Sequence, residues 1–527
     1  MMKVLVSDNI SPKGVEIMRQ AGLHVDVRTG MGPEELKEAL PAYHGLVIRS
    51  ATRVTAEIIE AAAKNLKVIG RAGSGLDNVD RAAATKKGIV VMNTPGGNTI
   101  TAAEHTMALL FSLARPIPRA SASMKEGRWE KKKFMGVELY GKTLGLVGMG
   151  NIGSQVAKKA GGLEMSVIAY DPFLNEETAK DLGVEPVGLE ELWKRADFIT
   201  VHTPLTPDTK NIISAATIAR MKDGVRIINC ARGGIVNEAD LLAALESGKV
   251  AGAALDVFEK EPPSADYPLC KHEKVVCTPH LGASTQEAQD NVAVAVAEQV
   301  ADYLIRGTIR NAVNFPSVPA EQAQTLAPYI NLAERMGGFA AQVFEFAPRE
   351  ITIEYMGEAS GFNTGPVTMA ALKGFLAPAL GDTVNFVNAP VTAKERGIEI
   401  RETRTPEAGD YRSMLCLRIR GEKTGYICGT LFSRKDPRIT GIDGAQVEII
   451  PEGTMLFMVN NDRPGLIGAV GTFLGGRGIN IARMFFGRES EGGTAVSAVS
   501  VDSPLTGEML RELRKIPNIL SVKQVVL

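Results

Sequence analysis

Three ionisable side chains sit just beyond short apolar runs. They are Arg232 in Asn229-Cys230-Ala231-Arg232-Gly233-Gly234, Glu261 in Asp256-Val257-Phe258-Glu259-Lys260-Glu261-Pro262-Pro263, and His280 in Thr278-Pro279-His280-Leu281-Gly282. A guanidinium clamps a carboxylate through two parallel hydrogen bonds and polarises the oxygen beside it. An imidazole titrates near neutrality and takes a hydroxyl proton, and a nearby carboxylate orients the ring and favours its charged form. The three together suit the oxidation of an alcohol next to a carboxylate, provided a hydride acceptor is held close by. Lys142-Thr143-Leu144-Gly145-Leu146-Val147-Gly148-Met149-Gly150-Asn151-Ile152-Gly153 marks where that acceptor binds. The run predicts a buried strand, a sharp turn at Gly148, close backbone approach to a pyrophosphate at Gly150, and helix packing at Gly153 with the positive helix end towards the phosphates. Asp171 closes the next strand, Ser166-Val167-Ile168-Ala169-Tyr170-Asp171. Its carboxylate accepts from a ribose and repels a 2′-phosphate, which favours NAD over NADP.

Other candidates read more plainly as structure. His202 follows a strand-like run before Thr203-Pro204, but the sequence supplies it no carboxylate partner. His105 lies on the apolar helix Ala102 to Arg115 and reads as a packing residue. Cys230 has no evident activating base, so it reads as a small residue lining the cofactor site.

These loops need a scaffold, and the order of elements supplies one. Short β-rich runs (Lys3 to Ser7, Gly45 to Arg49, Lys67 to Arg71, Ile89 to Asn93) alternate with helical stretches, as in a small parallel α/β unit. A nucleotide unit begins near Asn98, with strands at Phe198 to His202, Val225 to Asn229, Gly252 to Asp256 and Val275 to Thr278. A helix from about Ser284 to Arg306 leads back out, so one domain is inserted in another. Asn314-Phe315-Pro316-Ser317-Val318-Pro319 reads as a linker. Glu334 to Ile450 mixes helix and strand without a chemically legible motif. From Thr454 the order strand, helix, two strands, helix, strand is the split βαβ pattern of a small regulatory module.

The chain has 527 residues, enough for three to four domains, and 59 basic against 60 acidic side chains. That balance gives no general attraction to nucleic acid or to an anionic membrane. No apolar run reaches membrane-spanning length. The start lacks a cleavable signal pattern. The five cysteines, Cys230, Cys270, Cys277, Cys416 and Cys428, are scattered and lack metal-ligand spacing. A cytoplasmic, reduced, metal-free protein is expected.

Several longer motifs carry a resemblance. Arg71-Ala72-Gly73-Ser74-Gly75-Leu76-Asp77-Asn78-Val79-Asp80, Asn93-Thr94-Pro95-Gly96-Gly97-Asn98, Trp129-Glu130-Lys131-Lys132-Lys133-Phe134-Met135-Gly136, the Arg232 motif and Pro279-His280-Leu281-Gly282-Ala283-Ser284 resemble signatures of the D-isomer-specific 2-hydroxyacid dehydrogenases, over nearly the whole chain. The resemblance implies an α/β fold: a doubly wound Rossmann-type NAD domain (98–284) inserted in a flavodoxin-like substrate domain (1–97 plus 285–313). An α+β intervening domain of the allosteric-substrate type (320–450) and a ferredoxin-like ACT domain (453–527) follow. It implies Arg232, Glu261 and His280 as the catalytic set. Ser74, Gly148, Gly150, Asn151, Ile152, Gly153, Asp171, Thr203, Cys230, Ala231, Asp256 and Gly282 then form the NAD site. Asn151 stands where the family usually has an arginine, which removes one cation near the pyrophosphate.

The substrate's far end needs further cations. Arg53, Arg71 and the run Lys131 to Lys133 supply them, and with Gly73, Lys131, Arg232 and His280 make the expected substrate set. In the family the lysine segment reaches across a dimer contact, so a homo-oligomer, dimer or tetramer, is expected. The implied reaction is NAD-dependent oxidation of D-3-phosphoglycerate to 3-phosphohydroxypyruvate, feeding serine synthesis. The alternatives are reduction of hydroxypyruvate, glyoxylate or 2-oxoglutarate, and a non-enzymatic NAD sensor of the corepressor type. In the tail, Asn460-Asn461-Asp462-Arg463-Pro464-Gly465-Leu466-Ile467-Gly468 and Gly478-Ile479-Asn480 resemble an ACT effector site, with Asp462 and Asn480 as partners for serine. Asn460 stands where some relatives carry an aromatic or histidine.

Overall fold

The first runs of the chain are apolar end to end because parallel strands are covered on both faces. In the computed structural model, which describes residues 1–316, 320–488 and 492–527, they are β1 (Lys3–Val6), β2 (His24–Val27), β3 (Gly45–Ile48), β4 (Val68–Arg71) and β5 (Val90–Met92). They form a parallel five-stranded sheet in the order β2-β1-β3-β4-β5. β2 escapes the reading of apolar runs. It is an edge strand in which only Val25 is buried, so His24-Val25-Asp26-Val27 carries no continuous apolar signal.

The next unit holds β6 (Thr143–Val147), β7 (Ser166–Tyr170), β8 (Glu185–Pro186), β9 (Phe198–Val201), β10 (Val225–Asn229), β11 (Val250–Leu255) and β12 (Val275–Cys277). Their order is β12-β11-β10-β9-β6-β7-β8, all parallel. The chain leaves β6 in one direction towards β7 and returns on its other side as β9, so a crevice opens above the carboxyl ends of β6 and β9. Helix Thr99–Ala114 carries the chain into this unit and helix Gln286–Arg306 carries it out, with Thr101 Oγ1 and Thr285 Oγ1 3.2 Å apart where the two meet. The outgoing helix packs Val292, Val296 and Val300 into the first domain's core. Gly70 lets it sit that close, since a Cβ there would meet Val296 and Val300 at 2.7 Å.

Of the expected linker, Ser317, Val318 and Pro319 lie outside the described residues. Asn314 is anchored: it accepts from Val91 N at 2.9 Å and donates to Ile89 O at 2.8 Å, while Phe315 packs on the first core. Beyond it, helices Ala320–Val343 and Gly365–Leu380 cover a six-stranded sheet, β13 (Glu350–Gly357), β14 (Glu399–Thr405), β15 (Ser413–Arg420), β16 (Thr424–Phe432), β17 (Asp436–Ile442) and β18 (Ala445–Ile449). Cys416 and Cys428 face each other across β15 and β16 and form a disulfide, Cα–Cα 4.1 Å. This corrects the expectation of a wholly reduced chain, because antiparallel register brings together two thiols whose spacing says nothing.

The tail follows the expected order: β19 (Thr454–Asn461), helix Leu466–Gly475, β20 (Ile481–Arg488), β21 (Thr494–Val501), helix Gly507–Leu513 and β22 (Ile519–Val526), in one antiparallel sheet. One face of that sheet, including Met455, Phe457, Ala498 and Val525, shares the core of the preceding domain. Phe339 and Phe457 meet edge to face with ring centroids 5.5 Å apart. Among the described residues no helix is long and apolar enough to cross a membrane.

Candidate active site

The glycines of the fingerprint are fixed by space. Gly148 has φ +100°, and a Cβ there would come within 2.6 Å of His202 O. A Cβ on Gly153 would come within 2.1 Å of Gly148 O. Gly150 caps the helix Asn151–Gly161 without any side-chain bond to its first amides, so those donors face the crevice. Asp171, at the end of β7, accepts from Met149 N at 2.7 Å and Phe173 N at 2.8 Å, tying the glycine turn to the second strand. Thr203 Oγ1 and His202 Nδ1 are buried without a partner. Narrow glycine clearance, open helix amides and unpartnered polar atoms at one strand edge fit a dinucleotide.

A cleft of about 680 Å³ lies between the first two domains. Ser74, Ile152, Thr203, Cys230, Ala231, Asp256 and Gly282, expected at the cofactor, line it together with Arg232 and His280. Asp256 is almost wholly buried and accepts from Leu281 N (2.7 Å), Gly282 N (2.8 Å) and Thr278 Oγ1 (2.5 Å). Burial would raise its pKa, but these bonds and one from His105 hold it below the usual carboxylate range. His105 Nε2 lies 3.2 Å from Asp256 Oδ1 and 3.1 Å from Thr278 Oγ1. His105 is therefore a polar support of this loop, not the packing residue its apolar helix suggested. His105, Cys230 and Asp256 present ligand-type atoms within 4.8 Å of one another, already engaged in mutual hydrogen bonds.

His280 lines this cleft and meets Glu261 behind it, Nδ1 to Oε2 at 2.7 Å. Glu261 Oε1 accepts from Phe258 N, and His280, at φ +56°, donates its amide to Asp256 O and Thr278 O. The hydrogen bond to Glu261 raises the His280 pKa against the opposing effect of burial. Glu261 moves the other way: burial would raise it, yet the bonds from His280 and from Phe258 N bring it below normal. His202 differs, since burial alone pushes it down to about 4, so it is neutral in the working range and has no carboxylate to recharge it.

Arg232 Nε donates to Asp77 Oδ2 at 3.0 Å and its NH1 to Ala231 O at 2.7 Å. Gly75 makes room for it, for a Cβ there would lie 2.2 Å from Arg232 NH2. Arg71 curls over Gly73, whose φ is +145° and whose Cβ would meet Arg71 NH1 at 2.0 Å. Burial, then the charges of Arg232 and Arg49, push Arg71 down to about 10, with Asp77 opposing. Arg49, which sequence reasoning did not single out, stands where buried Asp8 accepts its amide at 2.6 Å and Asn78 donates to its carbonyl at 2.8 Å. Crowded guanidiniums of this kind make an anion site. Arg53, expected here, is exposed on the following loop. Lys131 is also set apart: it opens the short helix Lys131–Phe134, whose Lys133 lines a recess with Arg226 and Gly252 near the starts of β10 and β11, at the other end of the sheet from Arg232.

The NAD-binding domain of the D-isomer-specific 2-hydroxyacid dehydrogenases matches residues 107–282, the D-3-phosphoglycerate dehydrogenase intervening domain residues 325–443, and the ACT domain residues 454–518. The chain is 46% identical to D-3-phosphoglycerate dehydrogenase of Archaeoglobus fulgidus over the full length of both, and 42% identical to that of Bacillus subtilis over 100% of this chain and 99% of the relative. The chain belongs to the D-3-phosphoglycerate dehydrogenase family. The human member is 43% identical over 84% of this chain and 83% of its own. Among solved structures, the TT0316 protein of Thermus thermophilus superposes with TM-score 0.55 at 36% identity, covering 59% of this chain and all of its own. D-lactate dehydrogenase of Escherichia coli does so with TM-score 0.53 at 26% identity, again over 59% of this chain and all of that one.

The family's ACT domain carries a second cleft here, of about 260 Å³, lined by Asn460, Asp462, Arg463, Leu466, Phe486 and Arg488. Asp462 is paired with Arg488 at 2.9 Å, which is the first cause of its lowered pKa. Asn460 turns into the sheet, accepting from Ser497 Oγ at 3.1 Å. Asn480 does not line this cleft within one chain and donates instead to Asp502 at 2.8 Å.

Proposed function

We propose that this protein oxidises D-3-phosphoglycerate to 3-phosphohydroxypyruvate with NAD, in the cytoplasm, at the head of serine synthesis. The observation that carries the reading is a cleft lined by both Arg232 and His280, with His280 bonded to Glu261 and with Arg71 and Arg49 close enough to Arg232 to affect one another's charge, in a chain alignable end to end with D-3-phosphoglycerate dehydrogenases. NAD, when bound, supplies the acceptor for the hydride on the substrate's C2. Gly148, Gly150, Gly153 and the helix amides hold its pyrophosphate, and Asp171 its ribose. Arg232 grips the substrate carboxylate, while Arg71 and Arg49 offer charge for its phosphate. His280 takes the hydroxyl proton at Nε2, and Glu261 holds Nδ1 and stabilises the imidazolium that results. Asp256, braced by His105, keeps the Leu281 and Gly282 amides in place beside that base.

The exposed Trp129, Met135 and Tyr140 around Lys131 support a contact with a second copy, through which Lys131 would join a neighbour's substrate site in a dimer or tetramer. The Asp462 cleft is the place for serine, with Asn480 entering from the facing subunit. Initial rates decide the main reading. NADH should appear with D-3-phosphoglycerate and NAD, and serine should slow it. No turnover of D-3-phosphoglycerate beside brisk reduction of hydroxypyruvate, glyoxylate or 2-oxoglutarate would move the assignment to another member of the same chemistry.

A further inference from the structure

His280, which lines the main cleft, joins Glu261 in walling a separate cavity of about 370 Å³. Phe258, Pro262, Pro263 and Pro279 make it largely apolar, and two thiols, Cys270 and Cys277, complete its lining. Cys270 is exposed on the one-turn helix Pro268–Lys271. Cys277 is partly buried at the end of β12, and both thiols face the same cavity. Burial, reinforced by Cys270, pushes Cys277 up to about 12, so Cys270 is the thiol that meets reagents first. No other pair of free thiols exists among the described residues, since Cys230 is buried apart and Cys416 and Cys428 are already joined.

Cys277 is one residue from Thr278, and Thr278 is tied to the catalytic loop twice. Its hydroxyl donates to Asp256, and its carbonyl accepts from His280 N at 3.0 Å. The dithiol therefore sits on the strand end that sets the position of His280.

We propose that Cys270 and Cys277 form a reversible dithiol–disulfide site that lowers turnover by shifting the adjoining His280–Glu261 pair. The proposal rests on that pair being the proton-transfer machinery. The co-reactant is a low-molecular-weight disulfide. The Cys270 thiolate attacks it, forming a mixed disulfide and releasing one thiol. The Cys277 thiolate then attacks the Cys270 sulfur, breaking the mixed bond and releasing the second thiol. Two electrons pass to the co-reactant, and the two thiol protons leave on the two thiols released. The new bond holds the sulfurs about 2.05 Å apart, closer than contacting thiols, and so draws the end of β12 and the helix Pro268–Lys271 together. A displacement near 1 Å at a catalytic group costs on the order of 100-fold in rate.

The full-length protein is treated with oxidised glutathione, then alkylated and mapped by mass spectrometry without reduction, while turnover is followed. A Cys270–Cys277 linked peptide should accumulate as kcat falls about 10- to 100-fold, and dithiothreitol should reverse both. C270S should match the reduced enzyme before oxidation and keep its turnover afterwards, and C277S should do the same. Linked peptide with unchanged turnover overturns the switch, as does equal inactivation of C270S, or full turnover with no linkage at excess oxidant. A reduced enzyme that turns over, and loses turnover in H280A, shows independently that the catalytic reading stands. If the reduced enzyme has no activity on any 2-hydroxy acid, that reading falls and the switch with it.

Discussion

His280 and Glu261 share one short hydrogen bond, and their pKa values move apart because of it. In the proposed reaction oxidation needs neutral His280, so the rate should fall as pH drops through a pKa that Glu261 has raised. Glu261→Gln removes the partner of the charged ring, and the acidic limb of the kcat/KM profile should move to lower pH. An unmoved limb would take Glu261 out of this role. His280→Ala should cut kcat by about 100-fold or more with NAD affinity unchanged, read by fluorescence titration beside steady-state kinetics. Asp171 receives Met149 N and, in the proposed reaction, also holds the ribose. Asp171→Ala should therefore weaken NAD binding and narrow the preference over NADP, and equal use of both cofactors by the unmutated enzyme would sink the ribose role.

Elements meet through glycines wherever a side chain has no room. A Cβ on Gly153 would lie 2.1 Å from Gly148 O, so Gly153→Ala must push the helix Asn151–Gly161 off β6. Its amides then no longer converge on one pyrophosphate, and the NAD dissociation constant should rise about tenfold or more, measured by calorimetric titration. In the C-terminal half, Gly374 lets helix Gly365–Leu380 touch helix Ala320–Val343, with a notional Cβ 1.9 Å from Glu334 O. Gly374→Ala should cost about 1–3 kcal/mol and lower the melting transition of that half while leaving turnover intact, because the proposed catalytic groups Arg232, Glu261 and His280 lie in the other half. A scanning calorimetry trace that does not change would mean the helices separate without cost.

At the scale of the whole chain, the cleft lined by Arg232 and His280 and the ACT domain lie in different halves joined by few contacts. Asn385 Nδ2 donates to Gly88 O at 2.8 Å, Lys86 pairs with Glu395, and Val387 enters the first core. The tail is bound far more tightly to its neighbour, since Met455, Phe457 and Val525 complete the intervening domain's core. Removing 454–527 alone should leave that apolar face open and favour aggregation, visible by light scattering. Removing 317–527 should preserve turnover, as Arg232, Glu261 and His280 all lie upstream, and should abolish any response to serine. A truncated enzyme that still responds would place the effector elsewhere.

Local order was legible because local sterics dictate it. The glycine spacing of the turn, Asp171 at the end of β7, the alternation of strand and helix, and the loops carrying Arg232, Glu261 and His280 follow from residues near one another in the chain. What the chain brings together across long separations was not legible. His105 supports Asp256 from a helix more than a hundred residues away, and Arg49 adds its charge to that of Arg71 from a loop that Asp8 and Asn78 hold. The Cys416–Cys428 bond depends on strand register, and the pairing of Asp462 with Arg488 on the alignment of β19 with β20 through β21. An apolar helix or a scattered cysteine reports burial or chemistry only after folding supplies its neighbours, because hydrogen bonds and ion pairs depend on distance in space, which sequence spacing does not encode.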